Sequence, residues 1–459
     1  MRNIIFLSLR DILLYEGGVH MKRKIEQQLL KWKQMPNKKP LLIKGARQVG
    51  KTYSIRAFGK ENYKYMVEIN FERDISYIEL FNKTHNPIEL LDYLKISFMD
   101  IPFLKDTLLF LDEIQACPDA ITALKFMSEV FSCDIICSGS MLGIAIAKTT
   151  SFPVGYVETW DMYPMSFLEF LEAVSINKDI LNRINQSLER LEAVPEILHD
   201  KMNELFTKYM IIGGMPEVVA TYAETKSIKE CLMIQRRIVN DYLNDMAKYA
   251  ISGDKIKARE CFQSIPVQLA KENKKFQYSV VKKGYNARYY DSSLQWLEDS
   301  GLILKVNRLA HIAEPLVSEV ELSVFKVYMA DCGLFISQFD DGDIQKIIRG
   351  DLGIYKGAIY ENIAAQICKR ANKACFYYEP SQSTEIDFII KYEGEITPLE
   401  VKAGTHTTSR AFQNFVKKYR VKNAFLFSKK NTGVSIDGVI KHLPLYMLEI
   451  ILEQEPDIF

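Results

Sequence analysis

The sequence predicts an α/β protein whose first domain is a parallel sheet with helices on both faces. The pattern G-x-x-x-x-G-K-[ST] occupies residues 45–52, after the apolar run 40–43 and before residues 53–58, which can open a helix. Apolar segments then alternate with helical ones as far as residue 140. Strands that alternate with helices form parallel sheets, which bind ligands at the carboxyl ends of their strands.

Length and composition indicate a folded protein of several domains. At 459 residues the chain is longer than one hydrophobic core usually serves, so we expect roughly two to four domains. The hydrophobic content of 48% and charged content of 25% are ordinary for a globular protein. The net charge of +1 excludes a globally basic nucleic-acid binder but leaves room for local basic patches.

Cysteine usage and hydropathy favour a cytoplasmic protein with no membrane partner. The eight cysteines are scattered without the spacing of a metal site, which fits a reducing compartment. No run approaches the ~20 apolar residues of a membrane span. Residues 1–20 are expected to be a mis-annotated extension, because Glu-Gly-Gly at 16–18 can be encoded by a ribosome-binding sequence and Met21 lies just downstream.

The pattern at 45–52 is a P-loop and predicts a site for the phosphates of ATP. Its glycines let the backbone curl so that successive N–H groups point at phosphate oxygens, and the helix N-terminus adds partial positive charge. Lys51 would reach the β- and γ-phosphates, and the Thr52 hydroxyl would hold Mg²⁺. The alternative is a chance glycine turn before a helix. The residues predicted to bind the nucleotide here are Gly45, Gln48, Val49, Gly50, Lys51, Thr52 and Tyr53.

Two later strands end in polar residues that suit hydrolysis. Residues 107–113 are an apolar strand that ends in Asp112 and Glu113, the pattern of a Walker B strand. Asp112 would hold the water shell of Mg²⁺, and Glu113 would polarise the attacking water. Residues 134–140 form the next strand, where Ser140, or Ser138, is placed to sense the γ-phosphate. The alternatives are a structural carboxylate pair and a plain Ser-Gly-Ser turn.

These motifs, together with later segments, resemble the prokaryotic AAA-type ATPases that carry a C-terminal domain of unknown function. The family is related to archaeal ATPases and to the signal-transducing STAND ATPases, and the resemblance covers essentially residues 21–450. The segments that carry it are 45–52, Leu-Asp-Glu-Ile-Gln at 111–115, Ser-Gly-Ser at 138–140, Tyr-Pro-Met-Ser-Phe-Leu-Glu-Phe-Leu at 163–171, Gly-Gly-Met-Pro-Glu at 213–217, Phe-Lys-Val-Tyr at 325–328, Asp-Cys-Gly-Leu at 331–334 and Pro-Leu-Glu-Val-Lys at 398–402.

The resemblance implies further roles and shows one departure. Pro216 would abut the adenine, as the Gly-x-Pro of STAND lids does; the alternative is a proline at a helix start. Many family members have a basic residue where this chain has Tyr156, and a tyrosine cannot act as a cationic sensor. Arg236 and Arg237 are the substitute candidates, although most helix arginines only solvate a face.

Residues 178–257 are expected to form a helical lid and residues 258–339 a winged helix. In the second segment, helices are followed by a β-segment at 302–306, and basic residues surround the helix that begins near residue 286. The functional interpretation is contact with duplex DNA through phosphates, and the alternative is a winged helix used only for packing. The basic residues are Lys274, Lys275, Lys282, Lys283 and Arg288, with Tyr285, Tyr289 and Tyr290 interleaved.

Residues 340–459 carry the pattern of a restriction-endonuclease-like α/β domain. Asp387 lies on one predicted strand, Glu400 and Lys402 end the next, and Glu361 sits in a predicted helix. Asp387 and Glu400 would share a Mg²⁺ ion with Glu361 nearby, while Lys402 steadies the attacking hydroxide. Residues 356–430 hold 13 Lys and Arg against 7 Asp and Glu, which suits a phosphate-backbone partner. The alternative is a degenerate domain that binds DNA or protein without cleavage.

The fold class expected is therefore α/β: a P-loop ATPase core (21–177) with helical lid and winged helix, followed by the endonuclease-like domain. The favoured function is an ATPase whose nucleotide state controls DNA engagement by the winged helix and the nuclease-like domain. The alternative is a STAND-like switch that binds ATP, hydrolyses it slowly and recruits a protein partner. A small-molecule kinase is disfavoured, because Asp112-Glu113 suits water activation and no acceptor-binding segment is evident. The oligomeric state stays open.

Overall fold

A computed structural model describes residues 21–140, 152–249, 254–271, 273–351, 353–381, 384–404 and 409–454. The predicted extension at 1–20 lies outside the described residues. The chain forms two compact units: the first extends through Pro164 and includes Asp299–Gly301, and the second comprises Met165–Glu298 and the residues from Leu302 on. Within the described ranges, no helix combines the length and apolar character needed to cross a membrane.

The first unit alternates helices and strands. In chain order its elements are α1 (Lys24–Gln34), β1 (Leu41–Lys44), α2 (Lys51–Asn62), β2 (Tyr65–Asn70), α3 (Ile75–Lys83), α4 (Pro87–Ser97), β3 (Thr107–Asp112), α5 (Pro118–Val130), β4 (Asp134–Gly139) and β5 (Glu158–Asp161).

These strands form one parallel sheet in the order β2–β3–β4–β1–β5. The four strands predicted from the apolar segments up to residue 140 are confirmed. Strand β5 was not predicted; it pairs with β1, with Leu41 opposite Glu158. Because all strands run in the same direction, the P-loop after β1, Asp112 at the end of β3 and Ser138 in β4 lie at one edge of the sheet.

Helices cover both faces of this sheet, as predicted. On one face, Leu109 of β3 joins a buried core to which Leu124 of α5 contributes. On the other face lies α2, whose Gly59 approaches Leu108 and Met66 so closely that a Cβ at this position would collide with the Met66 side chain. Alternating residues of β3 are therefore buried against different helices, and each buried leucine contributes about 1.5–3 kcal/mol to folding.

The second unit begins with helices and continues into a mixed α/β region. In chain order its elements are α6 (Phe167–Ala173), α7 (Lys178–Glu189), α8 (Glu196–Ile212), α9 (Pro216–Thr225), α10 (Ile228–Tyr249), α11 (Asp254–Leu269), α12 (Tyr278–Val281), α13 (Ala287–Asp299), β6 (Ile303–Leu309), β7 (Val320–Met329), α14 (Cys332–Ile336), α15 (Asp341–Ile348), α16 (Lys356–Arg370), β8 (Phe376–Ser381), β9 (Thr384–Tyr392), β10 (Glu395–Val401), α17 (Arg410–Tyr419), β11 (Ala424–Ser428), β12 (Gly433–Val434), β13 (Ile440–Pro444) and α18 (Leu448–Gln454).

The predicted core ends at residue 177, whereas the first compact unit ends at Pro164. The difference arises from α6, which belongs to the second unit. Ser166 begins this helix with a capping box, in which its hydroxyl and the Glu169 side chain each accept a backbone N–H. The rings of Phe167 and Phe170 then pack on Tyr209 of α8, so aromatic burial holds α6 in the second unit.

The strands of the second unit form one sheet in the order β12–β13–β11–β10–β9–β8–β6–β7. Strand β6 pairs antiparallel with β7 and parallel with β8. The helices α11, α12 and α13 followed by β6 and β7 keep the order expected of a winged helix. However, the segment predicted as its wing is also a strand of the same sheet as β8, β9 and β10. The predicted boundary at 339/340 thus falls among elements that share one sheet.

Asp331 joins the helical and sheet regions of the second unit. One carboxylate oxygen accepts a hydrogen bond from the Gly214 amide at 2.7 Å, just before α9. The other accepts from Leu334 at 2.9 Å and so caps α14. Asp331 is 1% exposed, and a Cβ at Gly213 would collide with its carboxylate. The Gly-Gly-Met-Pro and Asp-Cys-Gly-Leu segments are therefore two halves of one buried contact.

We expect Asp331→Ala to lower the free energy of unfolding by about 3 kcal/mol, because it removes a helix cap and leaves the Gly214 N–H buried without an acceptor. Asp340→Ala is the matched control, since Asp340 caps α15 through Asp343 but is exposed, and should cost about 1 kcal/mol. Denaturant unfolding measures both. Equal losses in the two variants would show that the contact with Gly214 contributes no stability.

Candidate functional site

The P-loop joins β1 to α2 in a conformation that requires its glycines. Gly50 has φ of 95° and is the last residue before the helix, and Gly45 has φ of 155°. A Cβ at Gly45 would collide with the backbone carbonyl of Met162. The loop therefore curls tightly at the N-terminus of α2, where free N–H groups and the helix dipole favour a phosphate group.

Lys51 is almost fully buried at the start of α2. Its ammonium group donates hydrogen bonds to the carbonyl oxygens of Gly45 at 2.9 Å and Ala46 at 2.8 Å. Burial lowers the pKa of Lys51 to about 8, although the charges of Glu113 and Asp112 oppose the shift. The lysine thus folds back on its own loop and has no carboxylate among these hydrogen-bond partners.

The carboxylate of Asp112 collects hydrogen bonds from three other segments. The Thr52 hydroxyl donates to it at 3.1 Å, the Asn70 amide at 2.9 Å, and the Ser138 hydroxyl also donates to it. The Thr52 hydroxyl and the Asp112 carboxylate offer oxygen ligands of the kind that Mg²⁺ prefers, so these two residues fit the ion. Asn70 was not predicted, but it ends the strand beside β3 and lies opposite Asp112 in the register.

Glu113 follows Asp112 at the end of β3 in a left-handed conformation, with φ of 50°. Its carboxylate accepts a hydrogen bond of 2.5 Å from the side-chain amide of Gln115. Burial raises the pKa of Glu113, and the bond from Gln115 works against that rise. The amide of Gln115, two residues on, thereby orients the carboxylate that we predicted to polarise water.

The two serines at the end of β4, Ser138 within the strand and Ser140 just after it, have different partners. The buried hydroxyl of Ser140 accepts a hydrogen bond from Arg47 Nε at 3.3 Å, and Arg47 also pairs with Glu72 at 3.1 Å. Ser138, the alternative we had kept open, contacts Asp112 instead. Ser140 is therefore linked to the P-loop through Arg47, and Ser138 belongs to the Asp112 cluster.

The remaining predicted nucleotide contacts are placed as follows. Val49 is buried, and its carbonyl accepts a hydrogen bond of 2.8 Å from Arg23, which also bonds the Tyr163 carbonyl. Gln48 is exposed with φ of 64°, and Tyr53 is 37% exposed on the first turn of α2. Arg23 was not predicted. It lies in the segment before α1, far from the P-loop in sequence, and only folding of the chain brings the two into contact.

Pro216 occupies the first position of α9, in the second unit, and is partly buried. The two arginines considered as substitutes for a cationic sensor are both paired within that unit. Arg236 bonds Asp341 at 2.5 Å, and Arg237 pairs with Glu217. In the first unit, the ring of Tyr156 lies 5.0 Å from the ammonium of Lys125.

The second unit brings together three carboxylates, two of which we predicted. Oxygen atoms of Glu361, Glu385 and Asp387 all lie within 4.8 Å of one another. Glu385 was not predicted, although it is two residues before Asp387 and strand alternation places both on one face of β9. We call these three residues the carboxylate cluster.

A buried lysine already contacts this carboxylate cluster. Lys326 of β7 is 1% exposed, and its ammonium group lies 3.1 Å from an oxygen of Glu361 and bonds Glu385. Lys274 pairs with the other oxygen of Glu361, and the Tyr328 hydroxyl donates to Glu361 at 2.9 Å. Burial alone would raise the pKa of Glu361, but the two ammonium groups hold it at about 2.

Glu400 and Lys402 form a pair beside the carboxylate cluster. The Lys402 ammonium lies 2.6 Å from Glu400, which is buried, while the side chain of Lys402 is 36% exposed. One oxygen of Asp387 accepts the backbone N–H of Val401 at 2.8 Å. Burial and the charge of Glu400 raise the pKa of Asp387, and burial raises that of Glu400. The structure thus groups Asp387 with Glu361 and Glu385, and Glu400 with Lys402.

The five basic residues near the predicted recognition helix divide into two sets. Lys274 pairs with Glu361, and Lys275 lies 2.8 Å from Glu379, so both serve internal ion pairs. Lys282, Lys283 and Arg288 are exposed, with Lys282 at 3.8 Å from Glu260. Only the second set can form a basic surface on the described part of this segment.

Three domain families match successive parts of the chain. Residues 37–171 match the AAA domain, and residues 203–343 and 356–448 match two domains of unknown function, DUF8612 and DUF4143. The first match spans the P-loop, Asp112-Glu113 and Ser140, and with the sheet and site described above it supports a P-loop ATPase domain. No curated protein sequence matches the chain.

Several solved structures align with most of this chain at low sequence identity. The Walker-type ATPase of Pyrococcus abyssi is 16% identical, with 70% of this chain and 96% of that chain covered and a TM-score of 0.44. The Aeropyrum pernix Orc1 protein in complex with DNA is 12% identical, covering 74% and 96%, with a TM-score of 0.29. Drosophila ORC bound to DNA is 14% identical, covering 71% and 94%, with a TM-score of 0.28. These scores are too low to support a functional argument.

The lowered pKa of Lys51 predicts that nucleotide affinity falls as pH rises through about 8, because the free protein then loses the lysine's proton. Bound phosphates favour the protonated form, so the loss approaches about tenfold per pH unit. A fluorescent ATP analogue titrated between pH 7 and pH 9.5 measures it. Lys51→Arg is the control, since arginine stays charged and its affinity should not follow pH. A wild-type affinity that does not change with pH would show that protonation of Lys51 does not control nucleotide binding.

Proposed function

We propose that this protein hydrolyses ATP with Mg²⁺ at the P-loop of its first unit. The observation that carries the proposal is the meeting of Lys51, Thr52, Asp112 and Glu113 at the carboxyl edge of one parallel sheet. The match of residues 37–171 to the AAA domain supports it.

Phosphate binding is assigned to the P-loop and Lys51. The backbone N–H groups of the loop and the N-terminus of α2 receive the phosphates, and the Lys51 ammonium exchanges the Gly45 and Ala46 carbonyls for phosphate oxygens. Gln48, Val49 and Tyr53 line the same loop and helix turn, and Pro216 is proposed to contact the adenine. The buried positive charge of Lys51 is then paired with the negative charge of the phosphates.

Metal binding is assigned to Thr52 and Asp112. Mg²⁺ bound there neutralises charge on the β- and γ-phosphates. Asn70 and Ser138 hold the Asp112 carboxylate by hydrogen bonds, so its orientation is set before the ion arrives. Ser140 is the residue proposed to respond to the γ-phosphate, with Arg47 as its partner.

Water activation is assigned to Glu113. As water attacks the γ-phosphorus and the bond to ADP breaks, the Glu113 carboxylate accepts the proton of the water. Because the pKa of Glu113 is raised, its carboxylate holds a proton more tightly and is a better base. Gln115 acts as a positioning residue, because it holds the carboxylate through its amide.

Lys51→Ala should abolish ATP binding, because the phosphates lose their main cationic partner, whereas Glu113→Gln should bind ATP normally and lose turnover by at least about a hundredfold. Nucleotide binding and phosphate release, measured on the same preparations, separate the two effects. Glu79→Gln is the control: it removes an exposed carboxylate on α3 and should change neither quantity. Equal loss of binding in the Lys51 and Glu113 variants would make Glu113 a structural residue.

DNA engagement under nucleotide control is the second candidate function. The exposed residues Lys282, Lys283 and Arg288, beside the contacting rings of Tyr285 and Tyr289, favour sequence-independent phosphate contacts. The competing function is a STAND-like switch that recruits a protein partner and needs no basic surface.

Neutralising Lys282, Lys283 and Arg288 together should weaken duplex DNA binding and lower the slope of log affinity against log salt by about 2–3, since each phosphate contact contributes about 0.9. The matched control neutralises Lys64, Lys95 and Lys105, three exposed lysines of the first unit. Binding is measured with ATP and with ADP present. A salt slope equal to that of wild type would assign this segment to packing.

A further inference from the structure

The carboxylate cluster of the second unit resembles the metal site of a nuclease, but it already contains a positively charged group. Restriction-endonuclease-like sites use carboxylates to hold a divalent metal, and the cluster of Glu361, Glu385 and Asp387 has the spacing of such ligands. We propose that the ammonium group of Lys326 takes the place of this metal, so that the wild-type cluster binds no divalent ion and supplies no metal for DNA cleavage.

The charge of Lys326 lies where a divalent ion would have to bind. A Mg²⁺ ion coordinated by Glu361 and Glu385 must lie between their oxygens, at about 2.0–2.1 Å from each. The Lys326 nitrogen lies 3.1 Å from Glu361 and bonds Glu385, so it contacts the same two carboxylates. An ammonium group and a Mg²⁺ ion a few ångströms apart repel each other strongly in a buried setting. The residues present therefore do not fit the metal.

Several oxygen atoms of the cluster that would coordinate a metal already accept hydrogen bonds. Glu361 accepts hydrogen bonds from the ammonium groups of Lys326 and Lys274 and from the Tyr328 hydroxyl. Both of its oxygens therefore already have donors. One oxygen of Asp387 accepts the Val401 N–H at 2.8 Å. A carboxylate oxygen offers a limited number of lone pairs, and donors now use several of those that would coordinate a metal.

Lys326 is held within the sheet by its burial and by the pairing of its strand. The residue is 1% exposed and lies on β7 opposite Val306 of β6, with its ammonium group 5.1 Å from the centre of the Tyr377 ring. A lysine fixed on a paired strand and buried under its neighbours cannot withdraw to solvent as a surface lysine does. The charge is thus a built part of this sheet, and metal entry would require moving the strand or deprotonating the lysine.

The consequence concerns the role of the second unit. Cleavage of a phosphodiester by this fold depends on a metal to generate the nucleophile and stabilise the charge that develops. With Lys326 in place, the carboxylate cluster supplies neither. The exposed basic residues Lys282, Lys283 and Arg288 remain the candidate binding surface of this unit, and this assignment does not change the ATP site proposed for the first unit.

The test measures Mn²⁺ binding to the full-length, nucleotide-free protein by electron paramagnetic resonance of free Mn²⁺. All proteins carry Asp112→Asn, so that the first unit does not contribute. We expect no Mn²⁺ at the cluster of the parent protein, and about one equivalent gained by Lys326→Met that is lost again when Asp387→Asn is added. Lys275→Met, which removes a lysine paired with Glu379 outside the cluster, is the matched control and should gain none.

Two results would overturn the proposal: Mn²⁺ bound by the parent protein and removed by Asp387→Asn, or a folded Lys326→Met protein that gains no Mn²⁺. Loss of the ammonium removes one cationic partner from Glu361 and from Glu385, so the thermal midpoint of Lys326→Met should fall. Added Mn²⁺ should then restore it, or restore refolding of a variant recovered unfolded. A midpoint or refolding yield unchanged by Mn²⁺ counts against the proposal in the same way.

Discussion

The carboxylate of Asp112 is the contact on which the arrangement of the first unit's site depends. It is 2% exposed, and a buried carboxylate without donors would be strongly unfavourable. Thr52, Asn70 and Ser138 supply those donors from α2, β2 and β4. The strand order places β3 between β2 and β4, so the fold itself brings the donors to this carboxylate. The site that we propose for Mg²⁺ therefore depends on the same contacts that satisfy this buried charge.

The features of this unit that follow from local sequence were predictable. The P-loop, its strand and the Asp112-Glu113 pair depend on residues that are adjacent in the chain, and each appears where it was expected. Asn70 and Arg23 were missed because their partners are distant: Asn70 bonds a residue 42 positions on, and Arg23 bonds the Val49 carbonyl 26 positions on. A sequence pattern records which groups need a partner, and only the strand order shows where the partner comes from.

The second unit shows the same limit with larger consequences. Strands β9 and β10 were predicted, with Asp387 and Glu400 on them. The basic residues that neutralise the cluster were not connected to it, because Lys326 and Lys274 precede Glu361 by 35 and 87 positions. Lys274 had been assigned to a DNA-binding surface on the basis of neighbouring lysines. Ion pairing inside the fold uses it instead, which reduces the basic surface to the residues that stay exposed. Similarly, the strand predicted as a wing belongs to a sheet whose other strands lie further along the chain.

Lys51 and Lys326, both buried in the described part of the chain, differ in a way that separates their sites. Lys51 bonds backbone carbonyls of its own loop, and burial lowers its pKa because its charge is incompletely balanced. Lys326 is also buried, yet Glu361, Tyr328, Glu385 and Asp387 raise its pKa well above the ordinary value. An incoming anion therefore completes the charge balance at Lys51, whereas Lys326 already has its anions. An added cation would have to displace it from them. The first lysine is arranged to exchange its partners for a ligand, and the second is a permanent part of the fold.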